Sequence, residues 1–326
     1  MKPLHGCLVL DFSTLLPGPL ATLLLAEAGA EVITIERPGS GQMASLAQLT
    51  RGKTRLVLDL KSPDDRRRLR PLLDRADVLV EQFRPGVMGR LGLGYEDVAA
   101  INSRIVYCSI TGYGQDGPKS GVAGHDLNYI AETGLLSQSM GTVSNPVIPP
   151  ALMADIAGGS YPAVINILLA LRERDRTGRG RHLDVSMTDN LFTLMIGSSI
   201  ITGGSPRYGL YATRDGRMLA VGALEQKFWD AFCEIVNLDP HLRDDSIDPT
   251  ATASRVAELV ASDSAETWAV RMAGRDCCCS IVVSVEQAMR DPHFVERRLF
   301  RHQFADEQGR VIPALPVPID PSIRQY

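Results

Sequence analysis

Short apolar runs alternate with longer amphipathic segments over the first third of the chain. The runs have the length and composition of buried strands, at Cys7–Phe12, Glu31–Glu36, Thr54–Leu60, Asp77–Glu81 and Ile105–Ile110. The segments between them have helical periodicity, at Pro19–Ala30, Pro63–Ala76 and Tyr95–Ile101. Strands that alternate with helices in this way indicate an α/β fold with a parallel sheet covered on both faces.

A different pattern begins after the Gly-Ser-Pro linker around Ser205. It predicts a short β ribbon followed by helices, at Tyr208–Ala212, Met218–Val221, Gln226–Val236, Ala251–Ala261 and Ser264–Ala273. A helix over Ser186–Ile201 is expected to connect the two regions. The extended, Pro-rich segment Val311–Pro318 is expected to return to the first. We therefore predict a large domain over residues 1–200, completed by 305–326, and a small α+β domain over 205–300.

Composition narrows the functional classes. The 326 residues carry 34 Lys and Arg against 38 Asp and Glu, so the net charge of −4 argues against a nucleic-acid partner. No run approaches the roughly 20 apolar residues that cross a bilayer, so no membrane partner is expected. Six cysteines are too few for a disulfide framework, which favours a cytoplasmic protein. Cys277–Cys279 are consecutive and unsuited to one metal, and we predict no metal site.

A dinucleotide site is not supported. The first strand–helix turn, Ser13–Pro19, lacks the glycines that let a backbone approach a pyrophosphate. Gly112–Gly117 matches G-x-G-x-x-G, but Pro118 and further loop residues follow where a helix should begin. This segment is interpreted as a flexible surface loop that could cover a site.

Three side chains are candidates for acid–base chemistry. His125 opens a helical segment just after a glycine loop, and Asp155 stands as a natural helix N-cap before a long apolar run. Glu225 begins another helix, where an acid also suits the helix dipole. Taken singly, each residue is more typical of a structural role, which for Asp155 is capping.

The residues after Asp155 add detail. Gly158 and Gly159 remove side chains from the first helical turn, so free backbone N–H groups could stabilise an oxyanion beside the carboxylate. Pro162 falls inside the following helix and is expected to kink or restart it.

Several ordered motifs together resemble the family III CoA transferase and racemase (CaiB/BaiF-type) family, in particular its α-methylacyl-CoA racemase branch. The matching blocks are Pro17–Pro19, Glu36–Gly39, Arg51–Lys53, Asp59–Lys61, Phe83–Met88, Gly112–Gln115, Gly124–Asp126, Ala154–Asp155 and Thr177–Gly180. The resemblance implies a Rossmann-like large domain, a small domain, and an interlocked homodimer. It places the active site between large and small domains of different subunits.

The resemblance also assigns roles. The positions of His125 and Asp155 are those of the two proton-transfer groups in racemases, and the position of Glu225 is that of the acid that pairs with the histidine. The resemblance implies that the CoA moiety of the substrate is the only cofactor group. Its expected contacts are Arg37, Lys53, Arg84, Arg90, Asp126 and Tyr129.

The function expected from these residues is racemisation or epimerisation of 2-methylacyl-CoA thioesters at the α-carbon by two-base 1,1-proton transfer. Two alternatives stay open. A family III CoA transferase would use Asp155 as a covalent nucleophile, and a CoA-binding protein would bind without turnover.

Overall fold

The computed structural model describes residues 1–39, 44–198, 204–305 and 309–325. The chain divides into a large unit, residues 1–195 and 298–326, and a small unit, residues 196–297. Only part of the predicted connecting helix is described: a short helix, Met187–Leu191, followed by a 3₁₀ turn, Phe192–Gly197. The end of that prediction and the start of the predicted linker lie outside the described residues.

The large unit is built on a six-stranded sheet. Its strands are β1 (Leu8–Asp11), β2 (Glu31–Glu36), β3 (Lys53–Val57), β4 (Val78–Glu81), β5 (Val106–Thr111) and β8 (Arg181–Ser186). Their order is β3-β2-β1-β4-β5-β8, and every neighbouring pair is parallel. The predicted parallel sheet is therefore confirmed. A small hairpin, β6 (Gly141–Thr142) with β7 (Asn145–Pro146), lies apart from it.

Helices pack on both faces of this sheet. They are α1 (Pro17–Glu27), α2 (Pro63–Arg75), α3 (Val87–Arg90), α4 (Tyr95–Ile101), α5 (Asp126–Glu132), α6 (Tyr161–Thr177) and α7 (Met187–Leu191). In β1, Val9 packs in the core cluster with α1 and α6, while Leu10 packs in the cluster with α2 and α4. Successive strand residues point to opposite faces, so a strand covered on both sides reads as one continuous apolar run.

Sequence analysis missed β8 for a physical reason. Its residues are Arg-His-Leu-Asp-Val-Ser, and only Val185 and Ser186 at its end are buried. An edge strand contacts the core through few side chains, so it lacks the apolar run that identified the central strands.

The small unit contains a three-stranded antiparallel sheet, ordered β11-β10-β9, with helices around it. Its elements are β9 (Tyr208–Ala212), β10 (Met218–Gly222), α8 (Gln226–Val236), α9 (Pro249–Val260), α10 (Ala265–Met272), β11 (Cys279–Ile281), α11 (Val285–Met289) and α12 (Pro292–Glu296). Trp229, Phe232 and Trp268 are fully buried and form the centre of its core. All six cysteines of the chain fall in described segments and are free thiols.

The C-terminal segment packs within the large unit. It forms the hairpin β12 (Gln303–Ala305) and β13 (Val311–Pro313). Val317 then joins a cluster with Leu20 and Leu24 of α1, and the backbone N–H of Gln325 donates to the Glu27 carbonyl at 2.6 Å.

The helical run Ala154–Thr177 is long and apolar enough, by length and composition, to cross a membrane, and 44% of its apolar window is buried. It packs against α1, β5 and β8. We interpret it as a core helix with one exposed apolar side.

Candidate functional site

An aromatic clamp positions His125. The ring of Tyr129 lies so close to Gly112 and Gly124 that a Cβ at either position would fall 2.5 or 2.6 Å from it. The Tyr129 hydroxyl donates to the Gly124 carbonyl at 2.6 Å. Two glycine loops can therefore close over one buried ring. His125 follows as the exposed N-terminal cap residue of α5.

The glycine-rich loop over residues 112–121 is tied down, where the sequence suggested a flexible loop. The Gln115 N–H donates to Asp184 on β8 at 2.9 Å. Lys119 forms an ion pair with Glu132 on α5. These contacts fix the loop to the sheet and to the helix that His125 begins.

Asp155 is the second residue of a π-helical turn, Ala154–Ser160, that leads into α6. The expectation that it is the N-cap is wrong, because Met153 occupies the N-cap position and Asp155 lies within the first turn. The carboxylate of Asp126 caps this turn instead. It accepts the Asp155 N–H at 2.9 Å, and the backbone N–H groups of Ala154 and Met153 also favour its ionised form.

The two glycines after Asp155 serve packing and do not expose backbone to a ligand. A Cβ at Gly158 would lie 2.5 Å from the Met187 carbonyl oxygen, and one at Gly159 would lie 3.1 Å from the Pro17 side chain. The Asp155 N–H, one of the expected oxyanion donors, already donates to Asp126 at 2.9 Å. An oxyanion site formed by other backbone N–H groups near Asp155 stays a prediction.

The expected helix restart at Pro162 is confirmed. The α-helix begins at Tyr161, with the proline in its first turn. A regular helix would direct an N–H from residue 162 to the Gly158 carbonyl, and proline has none. The Asn190 side chain donates to that carbonyl at 2.8 Å instead.

Electrostatics join these groups into one acid–base corner, comprising His125, Asp126, Tyr129 and Asp155. Burial raises the pKa of Asp155 to about 6, the neighbouring Asp126 charge adds to the rise, and His125 opposes it. Burial likewise raises the pKa of Tyr129 to about 12, with Tyr113 and Asp155 adding and Arg84 opposing. A carboxyl group with a pKa near 6 can both accept and donate a proton at neutral pH.

A large cavity of about 1570 Å³ lies elsewhere in the same unit, at the carboxyl ends of β1, β2 and β3. Ligands of open α/β sheets bind at this edge. Basic side chains dominate its charged lining, namely Arg37, Arg51, Lys53, Arg55, Lys61, Arg66 and Arg90. It therefore suits a polyanionic ligand larger than an ordinary metabolite. Neither His125 nor Asp155 lines it.

The predicted CoA contacts occupy different places. Arg37 and Arg90 are exposed residues of the cavity. Arg84 follows Phe83 of the cavity lining and acts on Tyr129 in the corner. Asp126 and Tyr129 are buried, and their side chains form hydrogen bonds with the backbone of Asp155 and Gly124 within the corner.

Lys53 lines the cavity, but its ammonium is committed within the protein. It donates to the Asp11 carboxylate at 3.1 Å, the Pro19 carbonyl at 2.8 Å and the Thr22 hydroxyl at 2.6 Å. Burial lowers its pKa, while Asp11 opposes that change. Its role as a phosphate ligand stays a prediction, and its contacts favour a structural role.

Sequence reasoning overlooked several cavity residues. Arg55 lies within β3, Lys61 follows that strand and Arg66 lies in the first turns of α2, all close to the Arg51–Lys53 and Asp59–Lys61 motifs. For Lys61 and Arg66, sequence position was a usable signal, because both follow the carboxyl end of β3 at the ligand-binding edge of the sheet. Within the described ranges, no group of three or more His, Cys, Asp or Glu side chains could hold a metal.

Glu225 lies in the small unit, exposed, directly before α8. Its side chain forms no capping hydrogen bond there. Its pairing with His125 stays a prediction.

The sequence profile of CoA-transferase family III matches residues 4–324. The chain belongs to this family. Human α-methylacyl-CoA racemase is 36% identical over 315 residues, which cover 91% of this chain and 82% of that protein.

Other members of CoA-transferase family III resemble the chain as well. Mouse succinyl-CoA:glutarate CoA-transferase is 35% identical over 272 residues, covering 75% of this chain and 62% of the relative. The crystal structure of Rv3272 from M. tuberculosis superposes with a TM-score of 0.84 at 28% identity, covering 98% of this chain and 92% of the other. The relatives of this protein therefore include both racemases and CoA transferases, and the family is one of enzymes.

Proposed function

We propose that this protein racemises or epimerises 2-methylacyl-CoA thioesters at the α-carbon. The observation that carries the proposal is the acid–base corner. An imidazole and a carboxyl group lie at the starts of two helical segments, which are joined by the hydrogen bond from the Asp155 N–H to Asp126. The similarity to α-methylacyl-CoA racemases supports the same activity.

The reaction needs a base on one face of the α-carbon and an acid on the other. For one enantiomer, neutral His125 removes the α-proton while protonated Asp155 delivers a proton to the opposite face. The products are the inverted thioester, an imidazolium and a carboxylate. The other enantiomer reacts in the reverse sense, so charges and protons balance in both directions. We propose that Glu225 stabilises the imidazolium.

We propose that the CoA nucleotide binds in the basic cavity of the large unit. Arg37 and Arg90 are the side chains best placed to meet its phosphates, since guanidinium groups match phosphate geometry. Arg84, near the corner, would contact the part of CoA that leads to the thioester.

The second candidate is a CoA transferase, and the transferase relatives favour it. Asp155 would then attack the thioester carbonyl, expel CoA as a thiolate and form a mixed anhydride. Returning CoA thiolate would form an Asp155 thioester and release the first acid. That chemistry needs the Asp155 carboxylate but assigns no proton transfer to His125.

Deuterium wash-in separates the two candidates. The protein is incubated in D₂O with each enantiomer of a 2-methylacyl-CoA panel, and α-deuteration and inversion are followed together. Racemisation predicts that both occur in both directions. Transfer of CoA to a free acid, or an Asp155 adduct trapped by hydroxylamine, without α-exchange would reject the racemase proposal in favour of the transferase.

We further propose that the protein is a homodimer and that a second copy covers the outer side of α6. Ile165, Leu168 and Leu169 there are 57%, 42% and 63% exposed at helical spacing, which is an apolar face without a partner in the single chain. The Leu169→Glu variant should sediment as a monomer. The control variant Ile247→Glu, at an exposed residue of the small unit, should sediment like the wild type. A dimeric Leu169→Glu variant contradicts this interface.

A further inference from the structure

We propose that the side chain of Asp126 is a positioning residue for the acid–base step, because it fixes the turn that carries Asp155 and places a second negative charge beside it. The inference rests on the proposed proton-transfer function. It gives Asp126 a role within the corner, in place of the CoA contact that the family resemblance implied.

The hydrogen bonds provide the first part of this role. Asp126 is 6% exposed and belongs to the first turn of α5. Its carboxylate accepts the Asp155 N–H at 2.9 Å, near the start of the helical run, and the N–H groups of Ala154 and Met153 favour its ionised form. N–H groups at a helix start lack partners within the helix itself. Because His125 immediately precedes Asp126 in the chain, the hydrogen bond to Asp155 fixes the imidazole-bearing loop against the carboxyl-bearing turn.

Charge provides the second part. Burial raises the pKa of Asp126, while the backbone N–H groups of Met153, Ala154 and Asp155 oppose that rise and favour the ionised form, which only accepts hydrogen bonds. Its charge disfavours a second carboxylate at Asp155 and so favours protonated Asp155. Other groups that face this pair are His125 on the same loop, Tyr129 on α5, and Arg84 after β4.

This arrangement supplies the acid that the reaction needs. With a pKa of about 6, about a tenth of Asp155 is protonated at pH 7, against roughly one part in 1,600 at its ordinary value of 3.8. Burial is the larger cause of the rise and Asp126 the second. Removing the Asp126 charge should therefore reverse part of the rise.

The Asp126→Asn variant tests the charge while keeping an oxygen acceptor. Carbodiimide labelling of Asp155 is followed against pH by peptide mass spectrometry, which needs no substrate. The titration midpoint should fall from about 6 towards 3.8 in the variant, and the matching limb of the pH–rate profile of racemisation should move in the same direction. Asp248→Asn is the matched control, since Asp248 also caps a helix, α9 in the small unit.

Two further variants separate charge from capping. Asp126→Ser keeps a neutral capping oxygen, and Asp126→Ala removes it. Both should lower the Asp155 midpoint, but only alanine should accelerate hydrogen exchange at the Asp155 amide, whose hydrogen bond it removes. If all three variants misfold, labelling of the folded wild type still tests whether the pKa of Asp155 is raised at all, because the midpoint should exceed the ordinary aspartate value of 3.8.

The outcomes keep the two proposals apart. An Asp155 midpoint unchanged in folded Asp126→Asn, or equal to the ordinary value of 3.8 in the wild type, overturns the positioning role even if the protein racemises its substrate. A lowered midpoint in a protein that shows no α-proton exchange supports the pairing of the two carboxyl groups and rejects the racemase proposal.

Discussion

Two buried carboxyl groups of the large unit have opposite surroundings. Asp11, at the end of β1, is fully buried and bonds the Lys53 ammonium together with the hydroxyls of Ser13 and Thr22. Asp155 is half-buried and has another carboxylate, Asp126, beside it. The negative charge of Asp11 is balanced by Lys53, whereas a negative charge on Asp155 is repelled by that of Asp126.

The difference shows how the partners of a carboxyl group distinguish a structural role from a role in proton transfer. The charge of Asp11 is balanced by a cation and its oxygens accept hydrogen bonds from two hydroxyls. This carboxylate therefore stabilises the positions of α1 and β3 beside the cavity. A carboxyl group beside a like charge holds its proton more tightly, which is useful only where a proton is to be moved. The following variants test this contrast.

The largest expected effect on stability is at Lys53. The Lys53→Met variant leaves Asp11 buried and uncompensated, which should cost about 3–5 kcal/mol in the free energy of unfolding measured in urea. Lys61→Met, at an exposed cavity residue, should change stability little. If the Lys53 variant is as stable as the Lys61 variant, Asp11 and Lys53 do not form the structural pair described above.

The next effect concerns the turn that carries Asp155. Gly158→Ala would place a methyl group 2.5 Å from the Met187 carbonyl oxygen, and overpacking of this kind costs about 1–3 kcal/mol. Gly89→Ala in α3 has open space and should be neutral or slightly stabilising. Equal unfolding free energies for the two alanine variants would contradict the packing role of Gly158.

The smallest effect is a pH-dependent gain in stability. The pKa of Asp155 is raised on folding, so its ionisation opposes folding as pH rises from 3.8 through about 6. Asp155→Asn removes that penalty. The variant should be more stable than the wild type at pH 8, and this advantage should decline as pH falls through 6. An advantage independent of pH would show that the Asp155 charge is not the cause.

The central sheet was predictable because β1, β4 and β5 are buried throughout and β2 has a largely buried apolar centre between two glutamates. The polar edge strand β8 gave no such signal. The positions of His125 and Asp155 also came from sequence, through motifs at the starts of helical segments. The cap formed by Asp126 could not, because it joins residues 29 positions apart. Sequence likewise suggested that Gly158 leaves space for a ligand. The structure shows that the Met187 backbone occupies this space, a contact between distant segments that sequence does not reveal.

The most direct test of the account compares α-proton exchange with inversion in His125→Gln and Asp155→Asn, for each enantiomer of one 2-methylacyl-CoA in D₂O. Each variant should lose about 10²- to 10⁴-fold in inversion. Each should retain exchange with only the enantiomer whose α-proton faces the remaining base, and the two variants should retain opposite enantiomers. His5→Gln, an exposed histidine, is the control. Full inversion by either variant, or loss of the same enantiomer's exchange in both, would contradict two-base proton transfer.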